Sequence, residues 1–212
     1  MKEKEIVVNF LKKHEIDNFS KKIMQLDDYV KLLQEYNQRV NLISRQADEG
    51  VIWLTHILDS LLPISKFNLS GKTVLDFGTG GGLPGIPLQI IFPKAFIYLL
   101  DSNHKKIAVL KNVIKKLDLK QCLTISTRIE DMEKTWNNYF DVVVSRSVKL
   151  DIKHLGIIRR LVRKNGRICM YKAKKLFDRE IMKLVEIHDI SHKSVGTRNL
   201  LIMRKENVPR GT

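Results

Sequence analysis

The chain has 212 residues, 43% of them hydrophobic, which suits one substantial core and leaves too little for two large domains. Its formal charge is +15, from 38 Lys and Arg against 23 Asp and Glu, a balance that points either to a polyanionic partner or to a lysine-rich proteome. The opening Met1-Lys-Glu-Lys-Glu has no apolar stretch behind it, and the longest apolar run, 51–64, is broken by His56 and Asp59, so neither a signal peptide nor a membrane span is expected. Cys122 and Cys169 give no disulfide framework and read as reduced core residues of a cytoplasmic, monomeric protein.

The first seventy residues read as helices. Ile6, Val7, Phe10 and Leu11 repeat at helical spacing, and a break follows around 17–20. Ile23, Leu26, Val30 and Leu33, flanked by Tyr29 and Tyr36, mark a second amphipathic helix; a third covers 48–62 and stops at Pro63. The loop 65–72, with Asn68 and Gly71, is the seam between an N-terminal helical cap (1–70) and an α/β domain (71–206), followed by a loose tail (207–212). From Thr73 strands are expected at 73–77, 95–101, 122–126, 140–145 and 166–171, with helices near 84–92, 104–117, 153–163 and 177–186. Such alternation builds a doubly wound, mostly parallel sheet. The end differs: 187–195 and 198–205 flank Gly196-Thr197 and read as a β-hairpin. A Rossmann-like parallel sheet closed by a terminal antiparallel hairpin is the layout of class I methyltransferases.

The densest information lies in 74–87, where an apolar strand ends at Asp76 and runs into glycines at 78, 80, 81, 82 and 85. A strand-to-helix turn of this kind lets a nucleoside ligand approach bare backbone. Gly80-Gly-Gly82-Leu-Pro-Gly85 also matches G-x-G-x-x-G literally, so a dinucleotide such as NAD stays a competitor to S-adenosyl-L-methionine. Asp76 leans against the dinucleotide, because an anion beside a pyrophosphate repels it while one beside a sulfonium does not. Pro84 and Pro87 stiffen the helix start at no cost in hydrogen bonds.

Asp101 ends the second strand, where a carboxylate suits two ribose hydroxyls; its alternative is a helix N-cap, a task Ser102 also suits. Arg128-Ile129-Glu130-Asp131 follows the third strand and is either an adenine contact or a salt-bridged surface turn. Arg146, within Ser145-Arg146-Ser147 at the end of the fourth strand, faces the crevice where open α/β sheets bind ligands, or is a surface cation. Lys153, Arg159, Arg160, Arg163, Lys164, Arg167, Lys172, Lys174 and Lys175 cluster with only Asp151 to oppose them, as a phosphate-facing surface would. His56 is better placed to bond Asp59 and lock the cap than to catalyse; Trp53 reads as core, and Trp136 either packs or stacks on a base. The remaining histidines share no metal-ligand spacing with Cys or acids, so no metal is expected.

Together, Asp76-Phe-Gly-Thr-Gly-Gly-Gly-Leu-Pro-Gly-Ile-Pro, Leu99-Leu-Asp-Ser102 and Ser145-Arg146-Ser resemble the bacterial RsmG/GidB family of 16S rRNA guanine-N7 methyltransferases. Tyr36-Asn37-Gln-Arg-Val-Asn41-Leu42 and His56-Ile-Leu-Asp59-Ser60-Leu61 look like that family's helical signatures, and the likeness covers about 30–205 in order. The resemblance implies a seven-stranded methyltransferase sheet under a helical cap, S-adenosyl-L-methionine as donor, and N7 of a guanine in the 530 loop of 16S rRNA, naked or within the 30S ribosomal subunit, as acceptor. It places Gly78, Gly80, Gly82, Leu83, Ile129, Glu130 and Arg146 around the cofactor, Asp101 and Ser102 at the ribose, and Arg146 in transfer as well. Ile43-Ser-Arg after Leu42, and Ala173 after Lys172, depart from the family pattern near the substrate. Methylation of another RNA, a protein or a small molecule, and a non-catalytic RNA-binding module, are the competing readings.

Overall fold

A computed structural model describes residues 2–146, 152–172 and 182–207. Helix α1 (Lys2–Lys13) buries Val7 and Leu11, one turn apart, and α2 (Phe19–Asn37) buries Leu26, Tyr29, Val30 and Leu33, the set that shares one helical face. A third helical run covers 49–65. It opens as α3 (Glu49–Val51), where the Asp48 carboxylate accepts the Val51 N–H at 2.7 Å, and widens into a π-helix over Ile52–Leu58. It returns to α4 (Asp59–Leu61) and tightens to a 3-10 turn over Leu62–Ser65. Pro63 therefore does not stop the run where sequence placed the end: it sits in the first turn of the 3-10 segment, where a missing N–H costs nothing.

The sheet follows in the order expected: β1 (Thr73–Phe77), α5 (Gly85–Ile91), β2 (Phe96–Asp101), α6 (His104–Lys116), β3 (Cys122–Ser126), β4 (Phe140–Arg146), α7 (Ile152–Leu161), β5 (Val162–Lys172), β6 (Glu186–Asp189) and β7 (Asn199–Arg204). The strands are ordered β3-β2-β1-β4-β5-β7-β6, with β7 antiparallel between β5 and β6. Strand β5 starts earlier than its apolar run because 163–166 bulge out: Val162 faces Phe140, yet Arg167 faces Val142. Gly166 makes the bulge possible, since a Cβ there would run into Val162 Cγ1 and lie 2.8 Å from the Asp141 carbonyl. The hairpin strands are shorter than expected, and 190–198 close the turn through the Ile190 N–H to the Arg198 carbonyl and a bridge between His192 and Gly196. The helix expected over 177–186 falls largely outside the described residues, and Glu186 already belongs to β6. The tail 208–212 lies outside them as well.

Strand alternation divides the core. Val74, Ile97, Leu99, Val142, Val144, Cys169 and Tyr171 face the helical layer and α5 and α6, in one cluster with Leu26, Tyr29, Leu33 and Trp53. Leu75, Tyr98, Leu100, Val143, Ile168 and Met170 face the other way, onto Leu155, Ile158 and Leu161 of α7. The seam at 65–72 thus interrupts secondary structure but not the apolar cluster. Cys122 and Cys169 are free and buried. Trp136 stacks on Phe140 at 5.6 Å and meets Tyr98 and Tyr139 edge-on, so its ring is used for packing. Among the described residues no helix is long and apolar enough to cross a membrane.

Of the polar bonds that fasten the helical layer to the sheet domain, two come from buried side chains of α2. Lys22, 4% exposed, donates to the Ile91 carbonyl at 2.9 Å and pairs with Asp17, so its charge meets the C-terminal end of α5. The buried Tyr29 hydroxyl donates to the Gly81 carbonyl at 2.7 Å. Replacing Tyr29 by Phe keeps the ring and leaves that carbonyl without its donor; urea unfolding should show a loss of about 1–2 kcal/mol. An unchanged midpoint would mean the bond contributes nothing.

Candidate functional site

The turn after β1 is built around a buried acid. Gly78, Gly80 and Gly82 have φ of 71°, 57° and 94°, a region that disfavours side chains. Asp76 is fully buried; its Oδ2 accepts from the Thr79 hydroxyl at 2.6 Å and the Gly85 N–H at 2.8 Å, while Oδ1 has no partner. A Cβ at Gly85 would run into Leu99 Cδ2 and lie 2.7 Å from Asp76 Oδ2, so only glycine lets the first turn of α5 reach the carboxylate. Burial pushes the Asp76 carboxyl up to about 6, against the downward pull of its two donors and of Arg146.

Beside this turn, at the C-terminal ends of β1 and β2, lies a cavity of about 420 Å³ lined by Gly78, Asp101, Ser102, Ile129 and Glu130, together with Phe77, Leu100, Thr127, Arg128 and His154. The first five are residues expected from sequence, and the fold gathers them from three separate loops. Gly80, Gly82 and Leu83 do not line the cavity. The Gly80 N–H donates to Asp101 Oδ2 at 3.0 Å, a Cβ on Gly82 would meet Ile86 Cδ1 at 2.5 Å, and Leu83 is buried. Asp101 Oδ1 accepts the Asn103 N–H at 2.8 Å, and it is Asn103, rather than Asp101 or Ser102, whose side chain caps α6. Each Asp101 oxygen thus holds one bond and retains a lone pair for a hydroxyl. His154, 3.8 Å from Glu130 Oε1, was missed because a histidine at the start of an amphipathic helix carries no pattern of its own.

Arg146 is placed elsewhere. It continues the alternation of Val142 and Val144, so its guanidinium turns toward the helical layer. Nη1 donates to the Thr55 carbonyl at 3.1 Å and to Asp59 Oδ2 at 3.3 Å, and Nη2 to His56 Nδ1 at 3.2 Å. Asp59 Oδ1 accepts from Arg198 Nε at 2.6 Å. The expected His56–Asp59 bond is replaced by an arginine that both residues hold. Burial, and then the neighbouring Arg146, lower the His56 pKa to about 4, so the ring is neutral and its Nδ1 is free to accept. Thr55 and His56 of the π-helix and Asp59, the first residue of α4, lie within reach of one guanidinium.

Among the described residues the basic cluster is spread along α7 and β5. Arg163, Lys164 and Arg167 lie at the entry end of β5, whereas Lys172 lies at its exit end, and a rise of about 3.3 Å per residue separates Arg167 from Lys172 by roughly 16 Å. Arg163 pairs with Asp141 at 3.1 Å and Arg160 donates to the Met132 carbonyl at 3.0 Å. The side chain of Lys153, and Lys174 and Lys175, lie outside the described residues. Among the described residues no group of His, Cys, Asp and Glu could hold a metal ion.

Residues 22–200 match the profile of the family described as GidB, rRNA small subunit methyltransferase G. The chain is similar to a protein of that name from Mycoplasma capricolum subsp. capricolum, 33% identical over 94% of this chain and 87% of the relative. A Francisella tularensis subsp. novicida relative of the same name is 34% identical over 84% and 86%. In fold it is similar to a SAM-dependent methyltransferase from Aquifex aeolicus (TM-score 0.52, 17% identity, covering 69% of this chain and 89% of that one). It is also similar to M. jannaschii TYW2 in complex with AdoMet (0.55, 20%, covering 70% and 74%).

Asp76 and His56 set opposing pH dependences. A raised Asp76 pKa means that acidification from about pH 6 stabilises the fold, and a lowered His56 pKa means that acidification below its unfolded value destabilises it. Asp76→Asn removes the first effect alone. Its stability should therefore fall by roughly 2 kcal/mol more than that of the wild type between pH 6.5 and 4.5 in urea titrations. Parallel profiles would contradict the raised Asp76 pKa.

Proposed function

The chain belongs to the rRNA small subunit methyltransferase G family, and on that premise we propose that it methylates N7 of one guanine in the 530 loop of 16S rRNA. The observation that carries the cofactor assignment is the cradle itself. It combines a glycine turn of positive φ, a fully buried Asp76 with one orphaned oxygen, and an Asp101 that keeps lone pairs at the cavity wall. These residues fit a nucleoside that carries positive charge and two adjacent hydroxyls. When bound, S-adenosyl-L-methionine supplies an electrophilic methyl on a sulfonium.

In this reading Asp101, with Ser102 beside it, orients the ribose, Gly78 leaves room for the ligand, and the Ile129-Glu130 pair borders the adenine. Arg146 is a positioning residue, fixing the end of β4 against Thr55, His56 and Asp59. Guanine N7 has a free lone pair at neutral pH, so no side chain must remove a proton before attack, and holding donor and acceptor in line supplies much of the acceleration. N7 lies on the major-groove edge, which A-form RNA makes too deep and narrow to enter. An unstacked loop guanine meets that requirement, and a chain of charge +15 suits its phosphates.

The test uses 30S subunits from cells lacking the gene, incubated with purified protein and cofactor, then reduced and cleaved at 7-methylguanine. Scission at one 530-loop guanine, abolished by Asp101→Ala, is the expected result. Scission at another site, or none, would overturn the acceptor.

A further inference from the structure

The helical layer carries a polar cavity of about 470 Å³. Gln34 and Asn37 line it from the end of α2, Gln38, Arg45 and Ala47 from the loop that follows, and Ile52 from the start of the π-helix. Asn37 shapes the loop. Its Oδ1 accepts the Leu42 and Ile43 N–H groups at 2.9 and 3.0 Å, which turns the chain back over the end of α2. The loop so formed rests on the glycine turn: a Cβ on Gly81 would lie 3.3 Å from the Leu42 carbonyl and 3.1 Å from Leu33 Cδ1. On the other side, the π-helix that gives Ile52 to the cavity gives Thr55 and His56 to Arg146. The cavity thus borrows its walls from two elements that touch the cofactor turn and the end of β4.

The Asn37 amide is used within the chain, but the side chains of Gln34, Gln38 and Arg45 make no hydrogen bond or ion pair among the described residues. No carboxylate lines the cavity, and Ala47 and Ile52 are its apolar residues. A phosphate asks only for donors. Two carboxamides offer donors and acceptors together, which is what the edge of a base asks for, and the guanidinium adds a fork of donors. Gln pairs bidentately with adenine N6 and N7, and Arg with guanine O6 and N7, both on the purine edge that a duplex of A-form RNA hides and an unpaired loop exposes. The cavity falls within the usual size of a small-ligand site. We propose that it receives an unpaired purine of the RNA substrate, whose edge Gln34, Gln38 and Arg45 read. The inference rests on the acceptor being RNA and not on which guanine is methylated.

Fluorescence anisotropy of the full chain, with S-adenosylhomocysteine saturating the cofactor cradle, tests it. The probes are labelled hexauridylate and the same hexamer with one adenine or one guanine in its interior. A purine-bearing hexamer should bind at least about fivefold more tightly than hexauridylate, the low end of a bidentate base contact. Gln34→Ala and Arg45→Gln should each bring that ratio below about twofold while S-adenosylhomocysteine affinity stays unchanged. The side-chain amide NMR signals of Gln34 and Gln38 should move with the purine hexamer and stay in place with hexauridylate. Equal binding of all three hexamers, no binding of any, or a ratio that survives in both variants would overturn the site. Methyl transfer to 30S subunits is measured on the same preparations. Transfer without a purine preference removes the site alone, and a preference lost in both variants, without transfer, keeps the site and removes the acceptor reading.

Discussion

The contact on which the rest depends is that of Asp76 Oδ2 with the Thr79 hydroxyl and the Gly85 N–H. A carboxylate with no exposed surface is costly to bury, and it persists because the chain folds two donors back onto it within nine residues. Those donors define the turn: Thr79 fixes its beginning and Gly85 brings in the start of α5. The left-handed glycines between them then have little freedom left. Gly80 delivers its N–H to Asp101, which couples the ends of β1 and β2. Gly81 receives the Tyr29 hydroxyl, which couples the turn to the helical layer. One buried acid thus organises the cradle and anchors the cap.

Much of this was legible in the sequence because it rests on local constraints. Strand alternation, the glycine run, the acid at the end of β2 and the terminal hairpin each leave a short-range signature, and the fold follows them. Gly78, Asp101, Ser102, Ile129 and Glu130 meet around one cavity because strand ends in a parallel sheet converge on one crevice. What was not legible depends on long-range geometry. Arg146 and His56 lie ninety positions apart, and only the side of β4 on which the arginine emerges decides whether it enters the crevice or crosses to the π-helix. The 3-10 tightening at Pro63 and the bulge before Gly166 are likewise solutions to tertiary fit, invisible to periodicity.

Charge was the least reliable guide to place. Cations contiguous in sequence from Arg159 to Lys172 are spread along a helix and a strand that traverses the whole sheet, so adjacency in the chain becomes separation in space. The converse also holds. Lys66, Lys72 and Arg167 are scattered in sequence yet line one cavity. Arg146 and Arg198 arrive from different ends of the chain at opposite oxygens of Asp59. Net charge names a class of partner, while the fold decides where contact is made.

The central claim is that the acid beneath the turn, and not only the residues that line the cavity, sets cofactor binding. Gly85 lines no part of the cavity beside the turn, but a methyl group there would press on Asp76 and Leu99. The most direct measurement is the calorimetric affinity of Gly85→Ala for S-adenosyl-L-methionine, on protein whose circular dichroism matches the wild type. The account predicts at least a tenfold loss. An affinity within twofold of the wild type would contradict it.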